Sequence, residues 1–110
     1  MPKRAAAMTK RRVRGSRTAR PVMALLDLLG RRWTLRIVWE LREDRALTSR
    51  ALRTACDEAS PTVLNDRLKE LREAGFVVSG EAGYALTPLG KELAAHVMPL
   101  HWFAEKWSKR

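Results

Sequence analysis

The stretch TSRALRTACDEASPTVLNDRLKELREAG, residues 48–75, decides the fold. Thr48 stands ahead of Ser49-Arg50-Ala51-Leu52-Arg53-Thr54-Ala55-Cys56 as an N-cap, because its hydroxyl can accept from a first-turn amide that has no partner inside the helix. Asp57-Glu58-Ala59 makes a tight connection. Ser60-Pro61 is a second start signal, a capping side chain followed by a proline whose φ is already helical. In the helix that follows, to about Ala74, Leu64, Leu68 and Leu71 recur at spacings of four and three and so share one stripe. Gly75 ends it as a left-handed cap. A short helix, a three- to four-residue turn and a second helix opened by Ser-Pro fit the helix-turn-helix plan, although plain bundles also contain such pairs.

Working outward, Pro21-Val22-Met23-Ala24-Leu25-Leu26-Asp27-Leu28-Leu29-Gly30 predicts a short helix between a starting proline and a closing glycine. Thr34 is the expected cap of the next, Leu35 to Glu43, whose apolar residues wrap most of its circumference and make it the central helix. Beyond Gly75 the period becomes extended: Phe76-Val77-Val78-Ser79 and Tyr84-Ala85-Leu86 flank Gly80-Glu81-Ala82-Gly83 as a hairpin. Val77, Val78, Tyr84 and Leu86 read as its packing residues. Thr87-Pro88 repeats the cap-and-proline signal and opens a long helix toward Trp107. The expected fold is mainly α with a small β-hairpin, a winged helix-turn-helix with a C-terminal dimerisation helix.

The 110 residues allow one compact domain, 45% apolar, with Trp33, Trp39, Trp102 and Trp107 expected to add buried area. The net charge of +10 is uneven: residues 1–20 carry eight Lys and Arg and no acid. From Pro21 onward 14 basic residues face 12 acidic ones, leaving only +2. Residues 1–20 are therefore read as a basic tail, disordered when free, and 21–110 as the folded domain. The partner of such a tail is a polyanion, nucleic acid first and an anionic membrane surface second; a purely solubilising role is the third reading. No apolar run approaches the roughly 20 residues that span a bilayer, and Ala5-Ala6-Ala7 is too short for a secretory core, so a cytoplasmic protein is expected. The Arg- and Ser-rich, acid-free start also shares features with organelle transit peptides. Cys56 is the one cysteine, which excludes an intramolecular disulfide.

Counting 100° per residue from the leucine stripe, Thr62, Asp66, Lys69 and Glu73 point away from the core and Asn65 lies at the margin. The amino-terminal part of a recognition helix reaches base edges, so Thr62, Asn65 and Lys69 are the candidate readers. Asn pairs bidentately with adenine and Lys donates to guanine; Asp66 accepts from cytosine or orients Lys69. Arg67 sits off-centre, placed either to clamp the helix internally or to touch phosphate. Arg50 and Arg53, three apart, share a face and are candidates for phosphate contacts that fix register. For each, a solvated surface is the plainer alternative. On the terminal helix Leu89, Leu93, Leu100, Ala104 and Trp107 align on one side, expected to cover the chain's own domain. Ala95, Met98 and Trp102 gather nearly opposite and are the candidate dimerisation residues, with Pro99 expected to kink the helix.

Leu26-Asp27-Leu28-Leu29-Gly30 with Arg32-Trp33-Thr34-Leu35, then Ser60-Pro61, Leu64 and Arg67-Leu68-Lys69-Glu70-Leu71 ahead of Ala74-Gly75-Phe76, and finally Tyr84-Ala85-Leu86-Thr87-Pro88-Leu89-Gly90, resemble the HxlR family. The resemblance runs from Pro21 to Trp107 and implies winged-helix homodimers that bind operator DNA, regulate nearby transcription and dimerise through their terminal helices. Three departures stand out. Family members that sense oxidants or electrophiles have a cysteine just before the proline opening the first helix, where this chain has Arg20. Arg45-Ala46-Leu47-Thr48 lacks the usual aromatic residue. Gly80 to Gly83 replaces a longer basic wing loop, which implies weak wing contacts to DNA.

Other chemistry finds little footing. His96 and His101 are five apart, about 140° around a helix, and do not share the face a two-histidine metal site needs. Cys56 reads as a small buried residue rather than a redox or metal group. There is no phosphate-cradling glycine loop and no set of nucleophile, base and orienter, so no enzyme activity and no cofactor are expected. The tryptophans either pack the core or line a pocket for a small-molecule effector of unknown identity. The competing functions are a general basic nucleic-acid-binding protein acting through its tail, and a protein-interaction module built on the winged domain.

Overall fold

The computed structural model describes residues 20–57 and 59–110, among which there are five helices and one two-stranded antiparallel sheet. The basic tail, apart from Arg20, lies outside the described residues. Helix α1 (Pro21–Leu29) starts from extended Arg20, with its proline at the first helical position.

Helix α2 (Thr34–Glu40) departs from expectation at both ends. Its cap is Trp33 in a left-handed conformation, φ 78°, without a side-chain bond. Thr34 is the first helical residue, fully buried, and its Oγ1 has no hydrogen-bond partner. The helix stops three residues before Glu43 because arginines take the carbonyls its next turn would use. Arg42 Nη1 donates to the Trp39 carbonyl at 2.8 Å, and Arg45 donates to that of Glu40 at 3.2 and 3.3 Å.

The remaining caps form as their side chains dictate. Thr48 Oγ1 accepts from Ala51 N (3.1 Å) ahead of α3 (Ser49–Ala55), and Ser60 Oγ accepts from Val63 N (3.2 Å) ahead of α4 (Pro61–Glu73). Gly75 follows at φ 89°. Strands β1 (Val77–Gly80) and β2 (Gly83–Leu86) pair Val77 with Leu86 and Gly80 with Gly83 across the two-residue turn Glu81-Ala82. Leu47 bridges to the other edge of β2 by exchanging both backbone bonds with Tyr84, at 2.9 and 2.7 Å. This approach explains Gly83, whose φ is 121° and where a Cβ would sit 2.4 Å from the Leu47 carbonyl. Val77 and Leu86 face the core, whereas Val78, expected to pack, is 52% exposed on the outer face of the hairpin.

Helix α5 (Pro88–Ser108) is capped by Thr87, whose Oγ1 accepts from Gly90 N (3.0 Å) and donates to the Gly75 carbonyl (2.6 Å). The helix runs on through Pro99. Ile37, Val38 and Leu41 of α2 and its cap lie at the centre of the core, with Leu52 of α3, Leu64, Leu68 and Leu71 of α4, and Leu93 of α5 around them. Burying each such leucine contributes about 1.5–3 kcal/mol, which makes α2 the post on which the other helices hang.

The inward face of α5 is not the leucine row. Gly90, Leu93 and Ala94 are buried, Val97 packs on the core, and His101 stacks on Trp39 with ring centroids 4.3 Å apart. Of the side expected to cover the domain, only Leu93 is buried; Leu89, Leu100 and Trp107 are each at least half exposed. The cause is Gly90: a Cβ there would meet the Phe76 carbonyl oxygen at 2.1 Å. A bare backbone allows the closest approach, so the contact line passes through Gly90 and turns the leucines outward by roughly 70° at 100° per residue. Trp102 (61% exposed) and Trp107 (55%) therefore add nothing to the core of a single chain, contrary to expectation.

Candidate nucleic-acid interface

Two backbone bonds flank the connection from α3 to α4. Asp57 N donates to the Thr54 carbonyl (3.2 Å) and Ala59 N to that of Cys56 (3.3 Å), while Asp57 itself is left-handed at φ 57°. Asp tolerates that conformation better than most residues. Ala59 is buried beneath the turn, and Leu64, Leu68 and Leu71 anchor one side of α4, so its opposite side faces outward.

Thr62, Asn65, Asp66 and Lys69 are all exposed on that outer side. Arg50 and Arg53 are exposed on α3. Arg67 is different: its side chain is 16% exposed and its Nε lies 3.4 Å from Glu70 Oε1, while Arg31 reaches the other oxygen of Glu70 at 3.4 Å. The Arg67 side chain thus lies mostly buried beside Glu70.

A cleft of about 710 Å³ separates α1 from the later turns of α4, and Asp27, Gly30, Arg31, Asp66, Lys69 and Glu73 are on its walls. Asp66 and Lys69 thus share their surroundings with α1, whereas Thr62 and Asn65 do not line it. Thr62 and Asn65, nearer the amino-terminal end of α4, are exposed outside that cleft.

Sequence reasoning missed Arg36. Its guanidinium donates to Glu40 Oε2 (2.8 Å), Asp57 Oδ2 (3.2 Å) and the Ala55 carbonyl (2.7 Å). The hydrogen bond to Glu40, against a smaller effect of burial and with help from the Asp57 charge, holds its proton more tightly than usual. The available signal was an arginine inside the otherwise apolar run Leu35-Arg36-Ile37-Val38-Trp39. A second anchor also lay beyond sequence: the Lys91 ammonium pairs with Asp44 and holds that carboxyl below its usual range, tying the loop after α2 to the start of α5.

Cys56 is fully buried, and burial pushes its thiol up to about 11, with Arg36 opposing in part. The thiolate is the reactive form, so the native thiol is inert. Alkylation by iodoacetamide at pH 8 is expected to proceed only as fast as the protein opens; reaction at the rate of a free thiol would show the burial to be wrong. The sign of the linkage follows: the neutral thiol contributes fully below pH 9 and that contribution fades as pH rises toward 11.

No group of three or more His, Cys, Asp or Glu positioned to hold a metal ion occurs among the described residues. No helix among them is long and apolar enough to cross a membrane. A helix-turn-helix with a capped, outward-facing second helix and a hairpin behind it defines the winged helix-turn-helix class of DNA-binding proteins. The family model for the HxlR-like helix-turn-helix matches residues 28–110, and the chain belongs to that family of transcription regulators. A possible HxlR family transcriptional factor from Thermoplasma volcanium is similar at 29% identity and TM-score 0.70, over 78% of this chain and 83% of that one. Quinone-bound YodB from B. subtilis is similar at 27% identity and TM-score 0.71, over 77% of this chain and 96% of that one. No curated protein matches the sequence.

Proposed function

We propose that the protein is a cytoplasmic, sequence-specific double-stranded-DNA-binding regulator that acts as a homodimer and represses transcription rather than activating it. The observation that carries this reading is the outer face of α4, where Thr62, Asn65, Asp66 and Lys69 stand exposed behind the Ser60 cap. Thr62 and Asn65 read base edges, Lys69 donates to guanine with Asp66 beside it, and Arg50 and Arg53 hold phosphates. Arg67 serves the site from within, bracing Glu70.

Dimerisation through α5 is supported by its exposed apolar residues. Trp102 and Ala95 are exposed and Met98 is half-buried, with Leu100, Phe103 and Trp107 exposed nearby. On α1, Val22 and Leu26 are each 54% exposed. A helix that leaves this many large apolar side chains exposed is suited to meet a second subunit.

The test is a selection from random duplex DNA. The expected result is a two-fold motif with half-sites about one helical turn apart. A flat result with strong, salt-sensitive binding would instead make this a general basic nucleic-acid-binding protein. On the selected operator, Asn65→Ala relaxes preference at one base pair by about 1–3 kcal/mol, while Arg53→Ala weakens all sequences alike. An Asn65→Ala protein with unchanged affinity and preference would remove this face from the interface.

A further inference from the structure

We infer that Arg36, on the central helix, is the positioning residue that fixes the angle of α4, and with it the aim of the base-reading side chains; the inference rests on the DNA-binding reading above. The turn after α3 redirects amides that an unbroken helix would send back four residues: Asp57 N goes to Thr54 rather than Arg53, and the carbonyl of Ala55 is likewise vacated. The Ala59 amide, which an unbroken helix would direct to Ala55, goes to Cys56 at 3.3 Å instead. Arg36 Nη2 donates to that vacated Ala55 carbonyl at 2.7 Å. The same guanidinium reaches Asp57 in the left-handed turn at 3.2 Å and Glu40 on its own helix at 2.8 Å. Glu40 is held from its other side by Arg45, 3.7 Å away. One planar fork therefore joins the core helix, the end of α3 and the turn, an arrangement that the point charge of a lysine does not reproduce.

The lever arm explains why this matters. Lys69 lies eight residues beyond Pro61 along α4, roughly 12 Å at 1.5 Å per residue, so a swing of about 10° at the turn moves it by roughly 2 Å. A hydrogen bond from Lys69 to a base edge does not survive that displacement, and Asn65, half as far along, moves by about half as much. The leucine stripe holds α4 against the core, and the Arg36 bonds fix the end from which it starts.

The test uses the full chain with Arg36→Gln, Arg36→Lys and Asp57→Asn, each read by native-state amide exchange and by binding to the selected operator and a scrambled duplex. In Arg36→Gln the amides of Cys56, Asp57, Ala59 and Val63 are expected to exchange at least tenfold faster, while those of Leu68 and Leu71 keep their rates. The ratio of operator to scrambled affinity falls at least tenfold with an unchanged salt slope. Arg36→Lys recovers little of either, and Asp57→Asn moves both in the same direction. Asp57 is 72% exposed, so its variant keeps the measurement available if Arg36→Gln does not fold. Unchanged exchange at the turn overturns the inference, as does a uniform rise that includes Leu68 and Leu71, or a loosened turn with an unchanged ratio. If the wild-type protein prefers no sequence, the DNA-reading proposal fails on its own, and the exchange pattern alone decides whether Arg36 holds α4.

Discussion

Trp102→Ala is expected to raise the dissociation constant of the proposed dimer about 30- to 1,000-fold, corresponding to about 2–4 kcal/mol for loss of a buried tryptophan anchor. The size follows from where this side chain sits. In the single chain it is 61% exposed on the last turns of α5 and contributes nothing to the core, so its removal leaves the folded subunit intact. In the proposed dimer its large flat surface would leave water. The substitution therefore separates association from folding, which few core substitutions do: far-UV circular dichroism stays the same while sedimentation shifts toward monomer. A wild-type protein that sediments as a monomer at tens of micromolar would end the dimer proposal. Loss of helicity in the variant would mean that Trp102 packs within its own chain.

The second large effect is electrostatic. Residues 1–20 carry eight of the ten net positive charges, with no acid and no aromatic residue. Such a segment neutralises phosphates without choosing among sequences. If half of its charges meet the duplex, each subunit releases about four counterions, and replacing all eight basic residues by glutamine lowers the magnitude of the log–log salt slope by about 3.6 per subunit. Between 50 and 200 mM salt this amounts to roughly two decades of affinity per subunit. Binding of the intact and neutralised proteins to operator and scrambled duplexes across a salt series measures it. The ratio between the two duplexes is expected to remain. Equal slopes would take the tail out of the interface, and loss of all operator preference in a folded variant would move specificity into the tail.

The parts of this fold that local chemistry decides were readable from the chain. Thr48, Ser60 and Thr87 each cap where a hydroxyl precedes a helix, and Gly75 turns left-handed where the leucine stripe ends. The exposed face of α4 was equally legible, because three leucines four and three apart leave only one outward direction. What escaped was fixed at a distance. The early end of α2 depends on Arg42 and Arg45 taking backbone carbonyls. The rotation of α5 depends on a glycine meeting Phe76, which periodicity misreads because it counts apolar side chains and gives no weight to a missing one. Glu40 lies four residues from Arg36 at ordinary helical spacing, but Ala55 and Asp57 lie 19 and 21 away, where no spacing rule reaches.

The contact between Gly90 and the Phe76 carbonyl also has a meaning at the scale of the assembly. In a dimer joined along α5, the path from one reading helix to the other runs from α4 through Gly75 and Phe76, across that contact into α5, and back through the partner. Any side chain at position 90 would rotate or lift α5 on its own domain, leaving each subunit folded while changing the separation and relative tilt of the two heads. On the proposed dimer the spacing of operator half-sites would then be set by the absence of a methyl group, and a Gly90→Ala protein that still dimerises would select from random DNA a motif with altered spacing.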